Sequence, residues 1–450
     1  MVSDFIISSD DKKIFMLCGY AGTGKTTLIS ALVRTMEQLG RKTVLLAPTG
    51  RAAKVFSSYS GKSAYTIHKW IYRQKNILDA SQFTLMENRA VNTLFIVDEA
   101  SMISNAGISN FGSGSLLDDL VEFVYSGNGC SLLLLGDTAQ LPPVGEDLSP
   151  ALSYDYLSSM FLNVTAMELT QVMRQLGDSG VLYNATRLRE IICSEDTGLL
   201  HKIKLSGFAD ICRVCGEELI EAIESSYNEV GIDETIVLCR SNKRANVYNE
   251  GIRRRILYRE EELSRGDMLM VVKNNYYWRE LLGREDKTLL EKLDFIANGD
   301  VAEVIRVGGV EEMYSFRFAD VTLSLIDYDD CEIDVKIMLD TLVSESPSLT
   351  KDESERLFNA VWEDYPEIRS KRKRMEQVRN NPYYNAIQVK YGYAVTCHKA
   401  QGGQWKRVFL DQGFVSPDMM GVDYYRWLYT AFTRASEKLY LVNWSDSQTE

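Results

Sequence analysis

Short runs of apolar residues, each leading into a turn and then a longer mixed stretch, recur along the chain. Uninterrupted apolar runs of this length are typical of strands buried on both faces of a parallel sheet. In the first part of the chain they lie at 14–17, 44–47, 94–97 and 132–135. Later segments repeat the pattern at 235–246, 393–405, 406–412 and 438–444. This alternation predicts an α/β protein with two doubly wound cores, the first near 1–175.

The composition is that of a soluble globular protein. The chain has 450 residues, 45% of them hydrophobic and 25% charged, and this length suggests two to four domains. No apolar run approaches the ~20 residues of a membrane span, and the N-terminus lacks the pattern of a signal peptide. The eight scattered cysteines include one CxxC, Cys212 with Cys215, which favours free thiols over a zinc site. We therefore expect a cytoplasmic protein without membrane contact.

The charge distribution is uneven. A formal net charge of −13 argues at first against a nucleic-acid partner. Two segments, 240–255 and 369–379, are nevertheless rich in Lys and Arg. A groove can be basic while the outer surface of the protein is acidic. Each segment could equally be a solvated helix face. Net charge therefore leaves nucleic-acid binding open.

A glycine-rich turn separates the first apolar run from the first helical stretch. Residues 19–26, "GYAGTGKT", fit the phosphate-binding pattern GxxxxGK[ST]. Glycines let the backbone curl so that successive N–H groups point at a phosphate chain, and the helix N-terminus adds partial positive charge. Lys25 can reach the β- and γ-phosphates, and the Thr26 hydroxyl can ligate Mg²⁺. The residues expected to hold the nucleotide here are Gly22, Thr23, Gly24, Lys25, Thr26 and Thr27.

Two carboxylates follow the apolar run 94–97. A buried parallel strand would deliver Asp98 and Glu99 at its C-terminal end, where α/β sheets bind ligands. Asp98 is predicted to hold Mg²⁺, and Glu99 is predicted to act as the general base on the attacking water. Gln140, after the next apolar run, could sense the γ-phosphate. A P-loop core followed by a second α/β core suggests a motor with nucleotide between two lobes.

The ordered motifs resemble those of superfamily 1 DNA helicases of the 5′→3′ group, near the RecD, Dda and PIF-family enzymes. "GYAGTGKTT" is similar to motif I, "APTGRAAK" to motif Ia, and "TIHKW" to the TIH that follows it. "DEASM", "GDTAQLPPV" and "ELTQVMRQ" resemble motifs II, III and IV. "YAVTCHKAQG" and "WLYTAFTRASEKL" resemble motifs V and VI. The match runs in family order from residue 14 to about 444.

The resemblance implies roles for further residues. Arg174 and Arg434 would approach the γ-phosphate from the side of the cleft opposite Lys25, because arginine offers a permanently charged fork to a charged transition state. Gly402 of motif V would also lie at the nucleotide. A DNA track would bind phosphates and stack bases. Its implied residues are Pro48, Thr49, Arg51, Thr66 and His68 in the first core and Asn246, Thr396, His398 and Lys399 in the second.

The resemblance also implies a domain plan: two RecA-like cores with small β-rich insertions. We expect core 1A over 1–175, with a short hairpin insertion, 1B, at about 72–92. Core 2A would begin at 176–259 and resume at 391–450. Between these parts we expect an SH3-like barrel, 2B, over 260–345 and a charged helical insertion over 346–390.

Two departures from the family pattern bear on nucleotide contacts. The family's adenine-reading glutamine lies upstream of motif I, and none of the residues before Cys18 is a glutamine. We therefore expect weak discrimination between ATP and GTP, and Phe5 is the first candidate if adenine is read by another residue. Motif V carries Gln404 where relatives often have an acid, which affects the expected ribose contact.

Together these features predict an ATP- and Mg²⁺-dependent helicase that translocates 5′→3′ on single-stranded DNA and unwinds duplex. Its expected partners are single strands and duplex junctions, bound without sequence preference, with repair or recombination proteins as further candidates, and its expected state is a monomer. One alternative is a DNA-binding P-loop ATPase subunit of a larger complex that does not unwind by itself. Another is a P-loop small-molecule kinase. DNA-stimulated ATPase activity separates the three.

Overall fold

The first core is a parallel sheet of six strands. The computed structural model describes residues 1–8, 10–74, 83–105, 112–171, 179–194, 202–282, 293, 295–328 and 330–450. The strands of this sheet are β1 (Lys13–Gly19), β2 (Lys42–Ala47), β3 (Ala64–Thr66), β6 (Thr93–Val97), β7 (Ser131–Gly136) and β8 (Asn163–Leu169). They lie in the order β3-β2-β6-β7-β1-β8, and every pairing is parallel.

Helices cover both faces of this sheet. They are α1 (Val2–Ile7), α2 (Lys25–Gln38), α3 (Gly50–Ser60), α4 (Ile67–Ile71), α5 (Leu116–Ser126) and α6 (Tyr154–Ser159). Because side chains alternate along a strand, Ile14 and Met16 of β1 enter one apolar cluster while Phe15 and Leu17 enter the cluster on the opposite face. The unbroken apolar runs of the sequence thus correspond to strands buried on both sides.

A two-stranded hairpin interrupts the first core. It pairs β4 (Tyr72–Gln74) with β5 (Phe83–Leu85) in antiparallel register, and it lies in the segment predicted to hold the 1B insertion. Residues 75–82, between its strands, lie outside the described part of the chain. The Phe83 ring lies 4.7 Å from that of Tyr276, which connects the hairpin to the second half of the chain.

The second core is also a parallel sheet. Its five strands are β9 (Ile211–Val214), β10 (Thr235–Cys239), β16 (Ala394–Thr396), β17 (Trp405–Asp411) and β18 (Ala435–Val442), in the order β16-β10-β17-β18-β9. The helices of this part are α7 (Gly180–Ser194), α8 (Leu219–Val230), α9 (Asn242–Arg255) and α13 (Val422–Phe432). Two parallel sheets in one chain confirm the predicted α/β fold class with two doubly wound cores.

A small closed barrel is inserted in the second core. It consists of β11 (Met268–Val271), β12 (Val301–Met313), β13 (Phe316–Leu325), β14 (Cys331–Met338) and β15 (Ile387–Tyr391), with α10 (Tyr277–Leu282) after β11. Two helices, α11 (Lys351–Glu363) and α12 (Lys371–Arg379), separate β14 from β15. The last strand corrects one expected boundary: 387–390 lie in the barrel, paired with β11 and β14, and not in the helical insertion over 346–390.

The helical insertion packs against the barrel. Leu357 and Val361 of α11 and Val378 of α12 are buried with Phe316 and Phe318 of β13 in one apolar cluster. Thr350 and Glu353 form a reciprocal capping box that fixes the start of α11. No helix among the described residues is long and apolar enough to cross a membrane.

Candidate nucleotide cleft and nucleic-acid interface

The phosphate-binding loop joins β1 to α2. Gly22 and Gly24 have φ values of 77° and 87°, a backbone conformation that residues other than glycine rarely adopt. Lys25 is the first residue of α2, and its Nζ donates to the carbonyl oxygens of Gly19 and Tyr20 across the loop. The loop therefore has the curled form that lets the N–H groups at the start of α2 face an anion.

Asp98 lies directly after β6, beside the loop. Its Oδ2 accepts a hydrogen bond from the Tyr59 hydroxyl at 2.6 Å, and its Oδ1 accepts one from the Glu99 N–H at 2.8 Å. Burial, and then the charge of Glu99, raise the pKa of Asp98 to about 6. Two bonds thus hold the carboxylate in place where β6 ends.

Motif III contributes two buried polar residues from the end of β7. Asp137 Oδ2 lies 3.9 Å from the Lys25 Nζ. Gln140 is also buried, and its Oε1 has no hydrogen-bond partner among the described residues. An unpartnered buried amide oxygen is costly, so Gln140 is suited to receive a hydrogen bond from a water or ligand in the cleft.

The second core forms the other wall of this cleft. A cavity of about 590 Å³ is lined from the first core by the P-loop, Asp98, Glu99 and Gln140, and from the second core by residues that include Gln404 and Arg434. Arg434 is buried, and its guanidinium donates to the carbonyl oxygens of Thr430 and Gly403 and to the Thr433 hydroxyl. Within the described part of the chain these three bonds leave two of its five N–H donors without a partner.

Similarity to known proteins agrees with this two-walled cleft. Residues 5–191 match the AAA domain family, and residues 391–442 match the UvrD-like helicase C-terminal domain family. The ATP-dependent DNA helicase Dda of Enterobacteria phage T4 is 23% identical over 87% of this chain and 86% of that protein. The ATP-dependent RecD2 DNA helicase of Deinococcus radiodurans is 31% identical over 38% of this chain, which spans only 21% of that protein.

The chain is thus similar in sequence to helicases of the RecD and Dda type. A solved structure of Pif1 helicase from Bacteroides, in complex with ADP-AlF3 and ssDNA, aligns with 98% of this chain and 91% of that chain, with a TM-score of 0.45 and 15% identity.

The donor set of the helicase cleft fits Mg²⁺. This cation prefers oxygen ligands and takes one or two from protein, the rest coming from phosphates and waters. Thr26 and Asp98, both of which line the cleft, offer a hydroxyl and a carboxylate. Among the described residues no group of three or more acidic, histidine or cysteine side chains is arranged to hold a metal ion.

Three further residues were considered for the nucleotide, and the structure describes two of them, Gly402 and Phe5. Gly402 has φ of 75°, and a Cβ there would lie 3.1 Å from the Ala52 Cβ and 3.3 Å from the Thr49 Oγ1. It therefore packs against motif Ia, and Gln404 reaches the cleft instead. Arg174 lies outside the described residues. Phe5, the candidate reader of adenine, is buried in the first core against Phe15, with ring centroids 5.3 Å apart.

The first-core residues of the expected DNA track lie at the ends of β2 and β3. Pro48 precedes Thr49, whose side chain caps α3, and the Thr66 side chain caps α4. Burial lowers the pKa of His68 to about 4, so its ring is neutral at physiological pH and packs 5.7 Å from that of Tyr72.

Arg51 reaches across to the second core. Its guanidinium lies 4.1 Å from the centroid of the Trp405 ring, a cation–π contact. Motif Ia therefore forms part of the contact between the two cores as well as the start of α3.

Two of the second-core track residues, Asn246 and Lys399, contact one short segment, 343–347. The Asn246 amide donates to the carbonyl oxygens of Val343 and Ser344, at 2.6 and 3.1 Å. Lys399 donates to the Pro347 carbonyl oxygen at 3.4 Å. Thr396 precedes the short turn that carries Lys399 and the exposed His398. Asn246 thus holds this segment with its amide, which the sequence pattern did not indicate.

The basic segment at 240–255 is partly structural. Arg244 donates to the buried Asp411 carboxylate, and Arg253 makes two hydrogen bonds with Asp267, at 3.0 and 2.9 Å. Arg254, by contrast, pairs with Glu250 on the surface. The positive charges of Arg244 and Arg253 therefore stabilise the fold.

Two tyrosines that sequence reasoning missed bind carboxylates that line the cleft. Tyr59 binds Asp98, and Tyr429 of α13 donates to Asp137 at 2.5 Å. Tyr429 belongs to "WLYTAFTRASEKL", so its motif was recognised while its own contact was not. Nothing in the local pattern around Tyr59 indicates that its hydroxyl meets a carboxylate 39 residues later.

Proposed function

We propose that this helicase is an ATP- and Mg²⁺-dependent motor that translocates 5′→3′ on single-stranded DNA and separates duplex strands. The observation that supports it most is the single cleft whose walls come from both cores, with Lys25, Glu99 and Gln140 on one side and Arg434 on the other. A nucleotide between two lobes can change their separation when its phosphates change. The polarity comes from the family resemblance and is part of the proposal.

The proposed chemistry assigns a task to each cleft residue. Lys25 and the N–H groups at the start of α2 bind the β- and γ-phosphates. Thr26 and Asp98 would hold Mg²⁺, which when bound neutralises phosphate charge. Glu99 takes the proton of the attacking water at its carboxylate, and the Gln140 amide orients that water. The two N–H donors that Arg434 retains stabilise negative charge in the transition state.

The proposed DNA contacts use both cores. Side chains at the ends of β2 and β3 bind phosphates from the first core, and Lys399 with the exposed His398 contacts the strand from the second. Phosphate and stacking contacts of this type carry little sequence information. Alternating grip by the two cores as the cleft opens and closes would move the enzyme along one strand.

DNA-stimulated ATP hydrolysis tests the proposal. We expect addition of oligothymidine to raise kcat by roughly 10-fold or more, because closure of the cleft brings Arg434 to the phosphate and single arginines of this type are worth that much. The matched control is Glu99→Gln, which should bind ATP and DNA. Its residual rate of ATP hydrolysis should not change when DNA is added. A rate that DNA leaves unchanged would contradict a motor and favour a small-molecule kinase. A stimulated rate without strand separation would favour a binding subunit.

A further inference from the structure

The hydroxyl of Tyr429 connects the second core to two phosphate-site elements of the first core. Tyr429 lies on α13 and its side chain is fully buried. Its hydroxyl accepts a hydrogen bond from the Ala21 N–H, in the phosphate-binding loop, at 2.9 Å. It also donates to the Asp137 Oδ2, at the end of β7, at 2.5 Å. One oxygen atom of the second core is thus bonded to both the P-loop and motif III.

Other side chains of the second core hold motif III beside this hydroxyl. The Leu141 N–H donates to the Thr430 Oγ1 at 2.8 Å, and the Leu141 carbonyl oxygen accepts from the Gln401 Nε2 at 2.7 Å. Arg426 donates to the Asp147 carbonyl oxygen at 2.7 Å. These contacts attach α13 and motif V to motif III and to the segment just after it. Tyr429 is the member of this group whose bond extends to the backbone of the phosphate-binding loop.

The position of Lys25 makes this contact sensitive to phosphate. The Lys25 Nζ lies 3.9 Å from the same Asp137 Oδ2 that accepts from Tyr429. A phosphate in the loop draws the ammonium toward itself, and the buried carboxylate then depends more on the tyrosine hydroxyl for its charge. The bond between the two cores is therefore expected to tighten when the site is filled and to relax when the phosphate leaves.

We propose that Tyr429 is a positioning residue that couples occupancy of the phosphate site to closure of the second core. It touches neither nucleotide nor DNA in this assignment and acts through Ala21 and Asp137. The inference rests on the proposed motor function, because closure has a purpose only in an enzyme whose two cores move.

Tyr429→Phe tests the proposal, because it removes the hydroxyl and keeps the buried ring. The matched control is Tyr424→Phe on the same helix: its hydroxyl is equally buried and donates to Gln412 within the second core, at 2.6 Å. We expect Tyr429→Phe to lower the base pairs separated per ATP by roughly 5-fold while KM for ATP changes by less than roughly 3-fold, since a lost hydrogen bond in the closed state affects coupling more than binding. Tyr424→Phe should match the wild type.

A second readout reports closure without catalysis. Fluorophores placed on the surfaces of the two cores should approach each other when a non-hydrolysable ATP analogue binds, and Tyr429→Phe should lose most of this change while still unfolding cooperatively on heating. The readout needs no unwinding. If the wild type closes without separating strands, that result would contradict the proposed function, and the comparison of closure in Tyr429→Phe with the wild type would still test the role of Tyr429. Closure and coupling equal to wild type in Tyr429→Phe, or lost equally in Tyr424→Phe, would overturn the inference.

Discussion

Titration of Lys399 should make DNA affinity depend on pH in a range where most lysines remain charged. Burial, and then the positive charge of Lys390, lower the pKa of Lys399 to about 8. A lysine with that pKa is roughly nine-tenths charged at pH 7 and one-tenth charged at pH 9. If the charged form binds a DNA phosphate, its contribution is present below pH 8 and is lost as the pH rises through 8.

The size of the effect follows from the same pKa. The change in the charged fraction sets an upper limit of roughly 10-fold on the fall of the association constant between pH 7 and pH 9, because the rest of the track still binds when Lys399 is neutral. Loss of one phosphate contact should also reduce the slope of log K against log salt concentration by about 0.7 for a single strand. Burial also lowers the pKa of Lys390 to about 8. Because both lysines titrate in the same range, variants of Lys399 are needed to assign the effect to it.

Fluorescence anisotropy with a labelled oligothymidine at constant ionic strength measures these quantities. Lys399→Arg should bind at pH 7 as the wild type does and keep its affinity to pH 9, because guanidinium stays charged. Lys399→Met should bind more weakly at pH 7, with a flatter pH profile and a smaller salt slope. A wild-type profile that falls between pH 7 and 9 but is equally steep in Lys399→Arg would refute the assignment of Lys399 to the DNA track.

Three further predictions concern chemistry, stability and base choice. Lys25→Ala should weaken nucleotide binding, whereas Glu99→Gln should bind ATP and stall hydrolysis; nucleotide titrations and turnover assays separate the two, and near-wild-type turnover in either variant would contradict its role. Asp267→Asn leaves the buried Arg253 without its charge partner and should lower the free energy of unfolding by about 3–5 kcal/mol, against less than about 1 kcal/mol for Arg254→Gln at an exposed pair, measured by denaturant titration. Hydrolysis rates with ATP and GTP should be similar, and a strong preference for ATP would show that a residue of the chain reads adenine.

The local pattern of apolar residues was sufficient to predict the two parallel sheets. The runs before Gly19, Asp98 and Asp137 are apolar at every position, and strands buried on both faces need such runs. The P-loop was equally predictable, because its glycines and Lys25 act through backbone geometry that neighbouring residues determine. These elements depend on contacts over a few residues, or on a periodicity that does not require knowledge of the partner strand.

Long-range contacts account for what the sequence did not predict. The strand Ile387–Tyr391 closes the barrel beside β14 only after two helices intervene, so its partner is not apparent from its neighbours. Tyr429 meets Asp137 across 292 residues, and a tyrosine in a helical stretch is ordinarily a core residue. Gly402 was assigned from its motif, but the approach of motif Ia to it depends on how the two cores dock.

Strand separation on tailed duplexes tests the central claim most directly. The substrates are one duplex with a 5′ single-stranded tail and the same duplex with a 3′ tail, each incubated with the helicase, ATP and Mg²⁺. The account predicts separation of the 5′-tailed duplex, little separation of the 3′-tailed duplex, and none by Lys25→Ala. Separation of the 3′-tailed substrate alone would contradict the proposed polarity, and separation of neither, with DNA-stimulated ATPase activity intact, would contradict the claim that this chain unwinds DNA by itself.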